Sequence, residues 1–87
     1  MNYRVVWPRR AVEALAWAYM AATEREQASA VTHAMAEVDR LLERSPLAVG
    51  ESRIGNDRIL FAPPIVVEYE VFEDENVVVV TEARYRG

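Results

Sequence analysis

Hydrophobic positions change their period along these 87 residues, and each change predicts an element. Asn2 to Trp7 alternates weakly and is rich in Val and aromatic side chains, which predicts a short first strand. Pro8 follows where a helix can begin, since proline is tolerated in a first turn. From Ala11 to Ala22, Val12, Leu15, Ala16 and Tyr19 share one helical face and Glu13 is the only charge. This helix is apolar almost all round. Trp17 and Met20 lie off its main stripe, where they are either core or an exposed apolar strip that marks a partner site. Thr23-Glu24-Arg25-Glu26 has the capping-box pattern and predicts the start of a second helix. Ala28, Val31, Met35, Val38 and Leu42 then recur at helical spacing, with Ala34 and Leu41 beside them. Glu37, Asp39, Arg40, Glu43 and Arg44 keep the other side wet, and Ser45-Pro46 ends the run. Alanine is abundant in both helices, which favours close approach as an antiparallel hairpin.

The second half changes to strand spacing. Glu51 to Ile54 and Arg58 to Phe61 flank the turn cluster Gly55-Asn56-Asp57, so a hairpin is expected. Pro63-Pro64 interrupts the ladder and marks a bend or the beginning of a strand. In Ile65 to Phe72 one face carries Ile65, Val67, Tyr69 and Val71, and the other Val66, Glu68, Glu70 and Phe72. Glu73-Asp74-Glu75-Asn76 closes a second hairpin onto a last strand, Val77 to Arg84. The order β-α-α-β-β-β(-β) predicts an α+β fold: an N-terminal strand and an antiparallel two-helix hairpin packed on one face of a mostly antiparallel four- to five-stranded sheet.

Composition narrows the classes. With 87 residues and 52% hydrophobic content there is room for one domain, residues 1–87, and a single core. That is near the lower end for folding alone, so a homodimer or a bound partner is an open alternative. There is no Cys, hence no disulfide or thiolate chemistry, which suits a reducing cytoplasm. The longest apolar stretch, Ala14 to Ala22, is too short for a membrane span and lacks a charged leader with a cleavage site, so a soluble cytoplasmic protein is expected. The formal net charge is −4, and all ten basic residues are Arg. A global acidic excess argues against a nucleic-acid binder, although a local Arg patch can act within an acidic molecule.

Candidate chemistry concentrates at the C-terminal end. Arg84, Tyr85 and Arg86 close the last strand, and Arg53 and Arg58 flank the first hairpin turn. Each also has a structural reading: solvated strand-edge charges for Arg53 and Arg58, and a frayed terminus for the other three. Glu68 and Glu70 read mainly as structural or solvated. The only His, His33, falls on the polar side of the second helix, and neither a triad nor a metal site can be built round it; no cofactor is expected.

The spacing Tyr3-x-Val-x-Trp, the Ala-rich helix pair, Leu41-Leu42-x-x-x-Pro46 followed by Gly50, then Arg53, Arg58, Pro-Pro-x-Val-Val-x-Tyr-x-Val and a terminal Val-rich strand resemble the RelE/ParE superfamily of type II toxin–antitoxin systems, over essentially the whole chain. The resemblance implies a growth-inhibiting toxin, of the kind tied to plasmid stabilisation, neutralised by an antitoxin protein wrapped round it. RelE-like members cut mRNA in the ribosomal A site; ParE-like members inhibit DNA gyrase. It further implies Arg53, Arg58, Arg84 and Tyr85 as catalytic candidates and Arg86 as a substrate-binding one. One departure stands out: the Arg usual on the strand after the bend is replaced by Ile65-Val66-Val67, with Glu68 and Glu70 next.

The chemistry sharpens the alternatives. Metal-independent cleavage by a 2′-OH needs a base, cations for the charged phosphorane and an acid for the leaving oxygen. Arg fits only the middle role, because its pKa stays far above neutrality. Tyr85 is the nearby candidate for proton transfer, and a neutral phenol is a weak base. Three functions remain open on sequence: a ribosome-dependent mRNA endoribonuclease, a ParE-like toxin that does not cut RNA, or a degenerate toxin-like domain that binds protein.

Overall fold

The computed structural model describes residues 2–87. The chain runs β1 (Arg4–Val6), α1 (Arg9–Thr23), α2 (Ala28–Arg44), β2 (Glu51–Ser52), β3 (Asp57–Ala62), β4 (Ile65–Phe72), a 3-10 turn (Glu73–Glu75) and β5 (Val77–Tyr85). The strands form one sheet in the order β1-β5-β4-β3-β2. Neighbours are antiparallel except β1, which lies parallel to β5 through Arg4↔Val77, Val5↔Val78 and Val6↔Val79. The expected α+β architecture is present; the parallel pairing of the two ends of the chain is the feature that local spacing did not contain.

Both helices cover one face. α1 lies mainly on β5, and α2 touches β1 and β3. Between them and the sheet Val31, Met35, Val38 and Leu42 of α2 meet Leu60, Ile65, Val67, Tyr69, Val71, Val78 and Val80. This is the α2 stripe and the dry face of β4 that the spacing predicts. Burying such side chains is worth about 1.5–3 kcal/mol each, which holds the helix pair to the sheet.

α1 is oriented differently from expectation. Ala11, Ala18 and Ala22 are buried, Leu15 and Tyr19 are half-buried, and Val12 and Ala16 face solvent, with Val12 51% exposed. A helix apolar all round leaves its orientation to steric fit, and the row of small alanines lets it lie close on β5. Trp17 and Met20 are consequently exposed, at 69% and 59%.

The capping box at Thr23 is not formed. Thr23 is the last residue of α1, and its hydroxyl donates to the Tyr19 carbonyl at 2.8 Å. The Gln27 N–H bonds the Ala22 carbonyl and the Glu26 N–H bonds the Thr23 carbonyl, with Glu26 at φ 58°. That is a Schellman stop with Glu in the left-handed position usually held by glycine. α2 therefore begins at Ala28 instead of at the Thr23 cap.

Three turns set the sheet register. β2 is shorter than the predicted run to Ile54, and Arg53 N–H bonds the Asp57 carbonyl to close the first loop. Pro63 and Pro64, joined by a cis peptide bond, form a two-residue turn between the paired Ala62 and Ile65. They join two hairpin strands in register and lead directly into β4 at Ile65, the strand beginning that was one of the two expected readings. Glu73 to Asn76 closes the last hairpin at Phe72↔Val77, with Asn76 at φ 54°. β5 runs one residue beyond the predicted Arg84 and carries a bulge opposite Glu68/Tyr69.

Candidate functional site

Alternation along the paired strands assigns every candidate to a face. Arg58 pairs with Tyr69, next to Leu60↔Val67, and so lies on the helix-covered face. Its Nη2 donates to the Val49 and Gly50 carbonyls at 3.2 and 3.4 Å. The buried Nε has no protein partner among the described residues. Tyr69 completes this node: its hydroxyl lies 2.9 Å from both the Pro46 and the Val49 carbonyls. Burial pushes the Tyr69 phenol above its ordinary pKa, and the adjacent Arg58 guanidinium partly offsets the rise. Gly50, at φ 71°, passes so close that a Cβ there would sit 2.7 Å from the Ile59 carbonyl and 2.8 Å from the Tyr69 hydroxyl. Arg58 thus fastens the segment after α2 to the sheet.

Tyr85 pairs with Ile65 on the same covered face, and its hydroxyl donates to Gln27 Oε1 at the head of α2. Arg84 points the other way. It pairs with Val66 on the open face and forms a 2.7 Å ion pair with Glu68. Arg86 reaches over the Phe61 ring, 5.8 Å from its centroid, also on the open face. Arg53 is exposed in the first hairpin loop, at the far end of the sheet.

The five candidates therefore do not meet. On β4 the Arg84 level is Val66 and the Arg58 level is Tyr69, about 10 Å along the strand at ~3.3 Å per residue, and on opposite faces. The open face carries Glu51, Asp57, Glu68, Glu70 and Glu82, five carboxylates, against Arg4, Arg84 and Arg86. Ile59 and Val66 on this face are 4% and 2% exposed although they lie outside the helix-side core. Among the described residues no three His, Asp or Glu side chains converge on a point where a metal ion could be held. Among the described residues no helix is long and apolar enough to cross a membrane.

A feature that periodicity left undecided is the exposed strip of α1. Val12, Ala16 and Met20 recur every four residues with Trp17 alongside, and a groove of about 430 Å³ runs past Trp17, Met20, Ala21, Thr23 and Glu24. Its signal in the sequence was the near-absence of charge around the helix.

No protein-family model matches the sequence, and no curated protein matches it. Solved structures do. A chain of the chromosomal ParDE toxin–antitoxin system from P. aeruginosa superposes with a TM-score of 0.76, covering 99% of this chain and 98% of that one at 16% identity. A chain of the RelBE2 toxin–antitoxin complex from Mycobacterium tuberculosis gives 0.75, covering 99% and 93% at 17% identity. With nearly full coverage on both sides, the match extends over all five strands and both helices. The chain has the RelE/ParE-like fold.

Proposed function

We propose that this chain is the toxin component of a toxin–antitoxin module and that it acts by binding a protein target without cutting RNA. The fold and its two neighbours from toxin–antitoxin systems support the first part. The observation that carries the second is the dispersal of the catalytic candidates. Arg58 and Tyr85 are turned to the helix side and engaged there, while Arg84 is neutralised by Glu68. A phosphorane needs converging cations, and the open face presents more carboxylates than guanidiniums. Such a face repels the RNA backbone.

The cognate antitoxin is the first expected partner, with the exposed α1 strip as an apolar anchor for it. DNA gyrase, the target of ParE-like toxins, is the target to examine. Induced expression of the wild type is expected to arrest growth, and the Arg84→Ala/Tyr85→Phe double variant to arrest it equally. Purified protein is expected to lower supercoiling by gyrase. Loss of arrest in the folded double variant would instead point to the nuclease reading, and undiminished supercoiling at saturating protein would remove gyrase as the target. Healthy growth with the wild type would leave only a binding domain.

A further inference from the structure

α1 shows solvent the side opposite its contact with the sheet. Ala11, Ala18 and Ala22 are buried where the helix lies on β5. Glu13 is two residues from Ala11, and Met20 two from Ala18 and Ala22, which is about 200° round the helix. Arg9, Val12, Glu13, Ala16, Trp17 and Met20 are all exposed on this side. Val12, Ala16, Met20 and Glu24 recur every four residues as one ridge, and the groove past Trp17 and Met20 takes in Glu24. The charges at the two ends oppose the helix dipole. Arg9 and Arg10 occupy the first turn, where acids are favoured, no basic residue lies in the last turn, and the net-acidic Glu24-Arg25-Glu26 follows it. A helix lying antiparallel across this face reverses both relations.

We propose that this face of α1 binds the same face of a second copy of the chain, the two helices packed antiparallel about a two-fold axis between Ala16 and Trp17. Arg9 and Glu24 are equidistant from that axis along the helix, so Arg9 of each copy lies level with Glu24 of the other. Arg9 already forms a 3.4 Å ion pair with Glu13, and in the pair of copies it sits between two carboxylates. Arg9 and Arg10 also come beside the C-terminal end of the other α1, and Glu24 beside its N-terminal end, the favourable sense for both. Val12 falls level with Ala21 of the second copy, at the groove past Trp17 and Met20. Ala16 falls level with Trp17, and its small side chain lets the axes approach to about 8–10 Å. Val12, Trp17 and Met20, half or more exposed in the single chain, are covered. The helices meet from the side away from the sheet, so no strand edge and no core residue has to move. The contact is isologous and closes at two copies. A strip that complements itself in both apolar surface and charge favours a second copy over an unrelated helix. The proposal rests on the strip and its end charges, independently of the reading as a toxin; an antitoxin anchored on the strip displaces the second copy.

Sedimentation equilibrium of the purified chain tests this, with far-UV circular dichroism to verify folding. The wild type is expected to dimerise below about 100 μM. Arg9→Glu and Glu24→Arg each set like charges level twice, and each is expected to raise the dimer dissociation constant roughly 10-fold or more. Both substitutions agree with the dipole of α1, so the single chain is expected to stay folded. An equimolar mixture of the two variants places Arg level with Glu at both ends and is expected to restore the dimer. Met20→Asp, at an exposed position of the strip, is expected to give a folded monomer. A wild type still monomeric at that concentration, a dimer indifferent to the single substitutions, or a mixture that stays monomeric would each overturn the pairing.

Discussion

Tyr69 and Arg58 together do the work that a longer β2 strand would otherwise do, holding the chain after α2 against the sheet. The buried Tyr69 hydroxyl lies within hydrogen-bond reach of two carbonyls, and Arg58 donates to one of them and to its neighbour. Tyr69→Phe keeps the ring in the core and leaves Pro46 without its donor, so it is expected to cost about 1–3 kcal/mol in urea denaturation. An unchanged unfolding midpoint would show that water replaces the phenol without loss. The position of Tyr69 was legible, since Ile65, Val67, Tyr69 and Val71 alternate on one side of β4. Its partners were not, because Pro46 and Val49 reach it only through the tertiary path of the loop. Arg58 was legible as a strand residue, and the same alternation assigns it to the face of Leu60 once the register is known. Its charge suggested a ligand for phosphate, whereas its surroundings give it backbone carbonyls.

At the level of elements, the junction between α1 and α2 carries a testable defect. Glu26 occupies a left-handed conformation that disfavours every residue with a Cβ. Glu26→Gly is expected to raise stability by about 0.5–1 kcal/mol, read as a higher urea midpoint. The capping-box pattern concealed this stop, because Thr and Glu three residues apart serve equally well as a helix ending without a cap bond. The orientation of α1 was hidden for a different reason: with almost no polar face, its packing was decided by the fit of Ala11, Ala18 and Ala22 on β5. By contrast, α2 combines an apolar stripe with charges, and its buried residues follow its spacing closely.

β1 and α2 are joined by Trp7, whose Nε1–H donates to Asp39 Oδ1 at 3.4 Å, and by the Tyr3 N–H on the Glu43 carbonyl. Partial burial raises the Asp39 pKa, the Trp7 hydrogen bond opposes this, and nearby Glu43 adds to it. The native state then holds the Asp39 proton more tightly than the unfolded chain. Its contribution to stability falls as pH rises from below the usual carboxylate range through the raised native value. Asp39→Asn keeps an acceptor for Trp7 and abolishes that slope. It is expected to match or exceed the wild type in stability at neutral pH. Denaturation of both proteins on either side of the carboxylate range checks it; a less stable Asn variant at neutral pH would reverse the sign.

For the whole molecule, the two faces of the sheet divide the labour. One is filled by the helices and absorbs Arg58 and Tyr85 into structure; the other is open, acidic around Arg84, and poorly suited to a polyanion. The layered α+β arrangement was legible because turns and periods changed together along the chain. The parallel β1–β5 pairing was not, since it joins residues at opposite ends of the sequence. Neither was the scattering of the site, because a list of basic residues carries no information about the face each will take.

The most direct measurement is the mapping of mRNA 5′ ends in cells arrested by induced expression of the chain. A toxin that binds a protein target is expected to arrest growth with no codon-phased cuts above the uninduced background. Phased cuts that appear on induction and vanish with Arg84→Ala would contradict the account.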